Sequence, residues 1–354
     1  MLRPKQNIEI ANQIINSDSD LITNETILQK LPNKSSSGPD ELPSIVLKHL
    51  PDNLIHTITI LFNNALNNAY FPKAWKEAKV IPLLKKNKDP TKPVSYRPIS
   101  LTSNLGKVFE IHINKVITKV CENNKIIPDQ QYGFKKRHST VHAAHVVTDI
   151  LQGIHHNELI AAVLIDLEKA FDSVWLNGLI YTLMKSNFSE WLIFLFYNML
   201  HGKSFRTWDG SNLSTLLFSI EEGLQQGTVN SPIFFNINTG RILKMFGLNT
   251  TVDRFGKAFA DDFIAYLIGT NPVRLRDELS ELLNNINKVY QQWNLRVNPD
   301  KCESILFRRT VFKMDSTKRK QIADFQLQNT LTQKSSLTSH IKMKSSILVS
   351  ILTT

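Results

Sequence analysis

The chain has 354 residues, 42% of them hydrophobic, and a formal net charge of +11. It is long enough for a sizeable core, and its basic balance favours a polyanionic partner such as nucleic acid or an acidic membrane surface. The two cysteines, Cys121 and Cys302, lie far apart, which excludes a disulfide framework and fits a reducing, intracellular compartment. The N-terminus has no apolar core for a signal peptide, and the most apolar run, Trp191 to Leu200, is too short to cross a bilayer.

In chain order, residues 1–31 read as a polar lead and a short helix, and Lys34 to Asp40 as a loop. Helices are expected at about 43–50 and about 52–69, the second because Leu54, Ile58, Leu61, Phe62, Ala65 and Leu66 recur at helical spacing. Ala78 to Leu84 reads as a strand, Lys85 to Pro93 as a basic turn, and Val94 to Leu101 as the returning strand. A helix follows from Leu105 to Asn123, then a basic loop from Gln130 to Thr140 that leads into another helix. Ala161 to Asp166 is an apolar run ending in a carboxylate, as a buried strand would. Ser219 to Thr228 carries a Gly-Gln turn, and Ser231-Pro232 opens a helix.

Lys257 to Ile268 sets Asp261 and Asp262 between two apolar runs, which predicts two short strands with the acids at or near their turn. Asn271-Pro272 are the N-cap and first residue of a helix whose face is Leu275, Leu279, Leu282, Leu283, Ile286, Val289, Tyr290 and Trp293. From Arg308 to Thr354 there are nine Lys/Arg against two Asp/Glu, and periodicity fades. Alternating strands and helices predict a mixed α/β (α+β) architecture.

Burying either acid of the Asp261-Asp262 pair without compensation is costly, and the natural partner of clustered carboxylates is a hard divalent cation. Asp166 stands in a matching context. Two strand-borne acids meeting in one cleft suit two Mg²⁺ ions, with Mn²⁺ as a substitute, in an in-line phosphoryl displacement. His138, His142, His145, His155 and His156 have no cysteine or acid to complete a zinc set. Lys318-Arg-Lys320 reads as a basic tail or a nuclear signal.

Five motifs occur in order: Ser95 to Leu101 (SYRPISL), Gln131 to Phe134 (QYGF), Asp166 to Asp172 (DLEKAFD), Gly223 to Pro232 (GLQQGTVNSP) and Phe259 to Asp262 (FADD). Together they resemble the reverse transcriptase domain of non-LTR (LINE-type, jockey-like) retrotransposons over residues 34–307. The resemblance implies a right-hand polymerase fold with fingers and palm, the antiparallel palm sheet packed on helices. It places a helical extension at 1–75, fingers at 76–160, palm at 161–310, and a truncated or degenerate thumb or tail at 311–354. It implies RNA-directed DNA polymerase activity on an RNA template, a DNA primer and dNTPs, with the element RNA held as a ribonucleoprotein.

By the same resemblance, Asp166 and Asp261 are metal-binding acids and Asp262 assists them. Phe171 lies under the incoming sugar and excludes a 2′-hydroxyl. Arg97, with Lys85 and Lys86 at the hairpin, contacts the triphosphate or backbone phosphates. Gln226 and Gly227 pack beside the template base and nucleotide, and Lys301 protonates the leaving pyrophosphate. Gln225 and Asn230 depart from the family's usual proline and leucine, and its Lys-Tyr/Phe-Leu-Gly primer-grip segment is not found after Phe307. The chain therefore reads as a fragment or a decayed copy, with a catalytically inactive, nucleic-acid-binding remnant as the alternative function. An RNA-dependent RNA polymerase is disfavoured by Phe171.

Overall fold

The computed structural model describes residues 28–29, 31–32, 36–139, 145–246, 253–308 and 317. Most of the polar lead, His142, Lys318 to Lys320 and the rest of the 311–354 tail apart from Thr317 lie outside the described residues. In chain order the elements are α1 (Ser44–Lys48), α2 (Asp52–Asn67), β1 (Glu77–Leu84), β2 (Tyr96–Leu101), α3 (Asn104–Asn123), α4 (His145–His155), β3 (Leu159–Ile165) and α5 (Leu176–Met184). They continue with α6 (Glu190–Leu200), β4 (Lys203–Thr207), β5 (Phe218–Ile220), α7 (Ser231–Leu243), β6 (Asp253–Phe259), β7 (Asp262–Gly269), α8 (Pro272–Gln292) and β8 (Glu303–Phe307). The chain divides into two compact units, each discontinuous in sequence. One is built from the chain up to Ile126 with Val174–Phe234, the other from Ile127–Ser173 with the chain from Phe235 onward.

In the first unit β1 pairs antiparallel with β2 and parallel with β4, and β5 closes the order β2-β1-β4-β5. The returning strand starts at Tyr96 rather than Val94, because Pro93–Ser95 forms a 3₁₀ turn opened by proline. Proline suits that first position, where its missing N–H is not needed. The inward stripe of α2, with Phe62, Ala65 and Leu66, meets α3 through aromatic rings. Phe62, Phe71, Trp75 and Phe109 pack edge-on or tilted with centroids 5.4–5.9 Å apart, the geometry that aromatic quadrupoles favour.

The second unit carries an antiparallel sheet of order β6-β7-β3-β8. β3, Leu-Ile-Ala-Ala-Val-Leu-Ile, is buried along almost its whole length because both faces are covered. On one face Val146 and Ile150 of α4 pack on Ile160, Ala162 and Tyr266. α8 packs against β3 and β7 as well, through a stripe that includes Leu275, Leu279, Leu282, Leu283 and Ile286. Asn271 caps α8 as its sequence predicts: its side chain accepts from Val273 N–H and Arg274 N–H, and Pro272 follows it. Among the described residues no helix is long and apolar enough to cross a membrane.

Candidate active site

β3 ends at Ile165, so Asp166 stands just past the strand. Ile165 pairs with Phe263, and β7 begins one residue earlier, at Asp262. β6 and β7 close through the pair Phe259 and Asp262, which leaves Ala260 and Asp261 as a two-residue turn. Continuing the antiparallel register one step sets Asp166 against Asp262. Thus both acidic motifs sit at the same end of adjacent strands, with Asp262 on the ladder itself, Asp166 one step past β3 and Asp261 in the β6–β7 turn.

Asp166 is held on both sides. Its carbonyl accepts from Asn298 N–H at 2.8 Å, and its Oδ2 lies 2.9 Å from Lys301 Nζ. The Asp262 carboxyl is pushed up, first by burial and then by the negative charges of Asp261 and Asp166, with Lys301 opposing the shift. Asp262 therefore feels the charges of the other three. Among the described residues no group of three or more His, Cys, Asp or Glu is arranged to hold a metal ion by itself. The oxygen donors present nevertheless fit a hard cation. Mg²⁺ is usually held by one or two carboxylates plus substrate phosphates, not by an all-protein cage.

Phe171, half-buried, stacks on Phe235 with centroids 4.7 Å apart and an 11° tilt, and meets the ring of Phe134 edge-on at 6.0 Å. It lies in the same unit as Asp166, Asp261, Asp262 and Lys301. Asp172 is exposed.

The remaining predicted residues belong to the other unit. Arg97 is exposed on β2 opposite Leu83. Lys86 is exposed at the hairpin end, and Lys85 Nζ donates to Val94 O at 2.8 Å. The Gln226-Gly227 turn docks on β2, with Ser100 N–H donating to Gln226 O at 2.8 Å. Gly227 has φ +116°, and a Cβ there would lie 2.4 Å from Ser100 O. Only glycine allows that approach. This unit thus gathers Arg97 and Gln226 on one strand and the loop bonded to it.

Sequence reasoning missed what holds this loop. Glu110 Oε2, buried on α3, accepts from Val229 N–H at 2.7 Å, and one turn on Asn114 Nδ2 donates to Asn230 Oδ1 at 2.9 Å. Burial pushes the Glu110 carboxyl up and the Lys203 ammonium down, while the charges of the two favour each other's ionised form. The available signal was an acid inside the apolar stripe of α3, beside Phe109 and Ile113. Asn230 has its oxygen satisfied by Asn114, while its buried Nδ2 has no hydrogen-bond partner among the described residues. Gln225 is buried with Nε2 lacking a hydrogen-bond partner. Sequence reasoning also gave no role to Gln131.

A family model described as "Reverse transcriptase (RNA-dependent DNA polymerase)" matches residues 84–336. The chain belongs to the reverse transcriptase family. That family in general uses divalent metal ions. The chain is 31% identical over 290 residues to the RNA-directed DNA polymerase from mobile element jockey of Drosophila melanogaster, covering 80% of this chain and 31% of that protein. It is 32% identical over 278 residues to the probable RNA-directed DNA polymerase from transposon BS of the same species, covering 77% of this chain and 30% of that protein. The chain thus spans about a third of the length of these curated relatives, and its jockey-like, non-LTR character follows from them. A solved structure of apo telomerase from Candida tropicalis, truncated from its C-terminal domain, superposes with TM-score 0.51 at 14% identity, over 68% of this chain and 52% of that one. At that identity the likeness is one of fold, a right-hand polymerase type with mixed helices and antiparallel sheet.

Proposed function

We propose that the chain is an RNA-directed DNA polymerase that adds dNTPs to a primer 3′-hydroxyl on an RNA template. One observation carries the reading: in a chain of the reverse transcriptase family, Asp166, Asp261 and Asp262 stand at one end of adjacent strands, where the charges of Asp261 and Asp166 both raise the Asp262 carboxyl. In this reading 76–160 acts as fingers and 161–310 as palm. Template, primer and element RNA are the partners, the last as a ribonucleoprotein.

Asp166 and Asp261, with Asp262 assisting, would hold two Mg²⁺ or Mn²⁺ ions. Bound there, the ions supply Lewis acidity to the attacking hydroxyl and offset charge on the phosphate. The chain's own residues do the rest. Phe171, backed by Phe235, closes the space a ribose 2′-hydroxyl needs. Arg97, helped by Lys85 and Lys86, binds the triphosphate as a cation on an exposed strand. Gln226 and Gly227 present a flat backbone surface to the template base and nucleotide. Lys301, which donates to Asp166 Oδ2, gives a proton to the leaving pyrophosphate in this reading.

The test is primer extension on poly(rA)/oligo(dT) with Mg²⁺, alongside an RNA-binding assay. Asp261→Asn is expected to abolish extension while template binding stays within about twofold, since phosphate contacts dominate affinity. Equal extension by mutant and parent overturns the reading. Salt-sensitive RNA binding by a parent that does not extend would instead favour the inactive remnant.

A further inference from the structure

We propose that Gln131 is a positioning residue that fixes the Ala260–Asp261 turn so that the Asp261 carboxylate is pre-aimed; this rests on the metal role of Asp261 proposed above. The turn has an unusual composition. Two-residue hairpin turns favour glycine, asparagine or aspartate where φ is positive. Here the positive position is taken by alanine, with Ala260 at φ +59°, a conformation that a Cβ disfavours. Something outside the turn must impose it.

Gln131 does so with one amide. Its Oε1 accepts from Ala260 N–H at 3.1 Å and from Gly133 N–H at 2.9 Å, and its Nε2 donates to Ala260 O at 3.2 Å. Both backbone polar groups of Ala260 are thereby tied to a side chain that is 1% exposed. The Gln131 segment is itself laid along β6. Tyr132 N–H donates to Ala258 O at 2.8 Å, and Ala258 N–H donates to Gln130 O at 2.9 Å. Gly133 lies so close that a Cβ on it would sit 2.1 Å from Ala260 N. Its carbonyl accepts from Asn236 Nδ2, a buried side chain on α7, at 2.8 Å. A continuous path of hydrogen bonds therefore runs from α7 through Gly133 and Gln131 to the residue preceding Asp261. Displacing a catalytic group by about 1 Å can cost about a hundredfold in rate, so fixing this peptide is consequential.

The experiment reads Mn²⁺ binding by electron paramagnetic resonance on the full chain, with kcat and KM from primer extension beside it. Gln131→Leu keeps the bulk and removes all three bonds. It is expected to weaken Mn²⁺ binding about tenfold and lower kcat more than about tenfold, with KM for dNTP changed less than about threefold. In an Ala260→Gly background the same substitution is expected to have a clearly smaller effect, because glycine reaches the positive φ without help. If Gln131→Leu does not fold, Asn236→Ala asks the same question from further away and is expected to weaken Mn²⁺ binding about threefold. Parent-like Mn²⁺ binding in these variants overturns the proposal, as does a penalty equal in the Ala260→Gly background, which is how a residue that only packs would behave. Parent binding that survives Asp261→Asn identifies a failure of the metal reading itself, and the positioning role falls with it.

Discussion

Lys301 Nζ sits 2.9 Å from Asp166 Oδ2, so the carboxylate cluster at the end of β3 and β7 is already partly neutralised by a lysine delivered from just before β8. The pair is lopsided: the Lys301 side chain is 64% exposed and that of Asp166 22%. A half-solvated pair of this kind contributes about 0–1 kcal/mol to stability.

Lys301→Met is therefore expected to leave the melting temperature within about 3 °C of the parent. The rate of extension should fall by about a hundredfold, the lower end of the loss of a positioned acid. Thermal melting and single-turnover extension check both. A variant with parent-like kcat removes the proton-donor role.

Phe171→Ala should open the sugar site. The ratio of kcat/KM for dNTP over rNTP is expected to drop about a hundredfold, on the scale of a pocket that loses a bulky apolar wall. The loss of stacking on Phe235 should lower stability by about 1–3 kcal/mol. Competition assays with dNTP and rNTP read the first effect, and urea melts read the second. An unchanged ratio would assign the ring to the core alone.

Glu110→Gln is expected to destabilise by about 1–3 kcal/mol, because it weakens the buried hydrogen bond from Val229 N–H and removes a negative charge that favours the ionised form of Lys203. Adding Lys203→Met should recover most of that loss. Urea titrations of the parent, both single variants and the double variant complete the cycle. Additive losses would show that the two do not act as a pair.

His112 gives a pH dependence with a definite sign. Burial, and then the charge of Lys115, lower its pKa from 6.5 to about 3. Below pH 6.5 the unfolded chain takes up a proton that the folded chain refuses until about pH 3. Stability from this group therefore falls on acidification through that window, by about 1.4 kcal/mol per pH unit. His112→Gln should make the stability profile shallower by about one proton between about pH 4 and about pH 6. Equal slopes in parent and variant would overturn this assignment.

Local pattern made some elements legible. The apolar run before Asp166, the Asn271-Pro272 cap and the stripe from Leu275 onward are each decided by neighbours in sequence, and the structure places them where the pattern does. The acids were legible for the same reason, since each follows or opens a buried strand. Other features depend on contacts that no local window contains. β4 joins β1 in parallel through Glu77 and Ser204. Gln131 meets Ala260 across 129 positions. The helix from Leu176 is not capped by Trp175; Leu176 N–H donates instead to Glu222 Oε2 at 2.8 Å, 46 positions away, so nothing local marked its beginning.

The hydrogen bond from Asn114 Nδ2 to Asn230 Oδ1 ties the two positions to each other chemically. A leucine at 230 would face an apolar neighbour comfortably, yet here it would strand the donor on α3; an apolar residue at 114 would equally strand the buried oxygen of Asn230. Replacing both residues by apolar ones removes the stranded groups together, so the two substitutions are expected to couple rather than add.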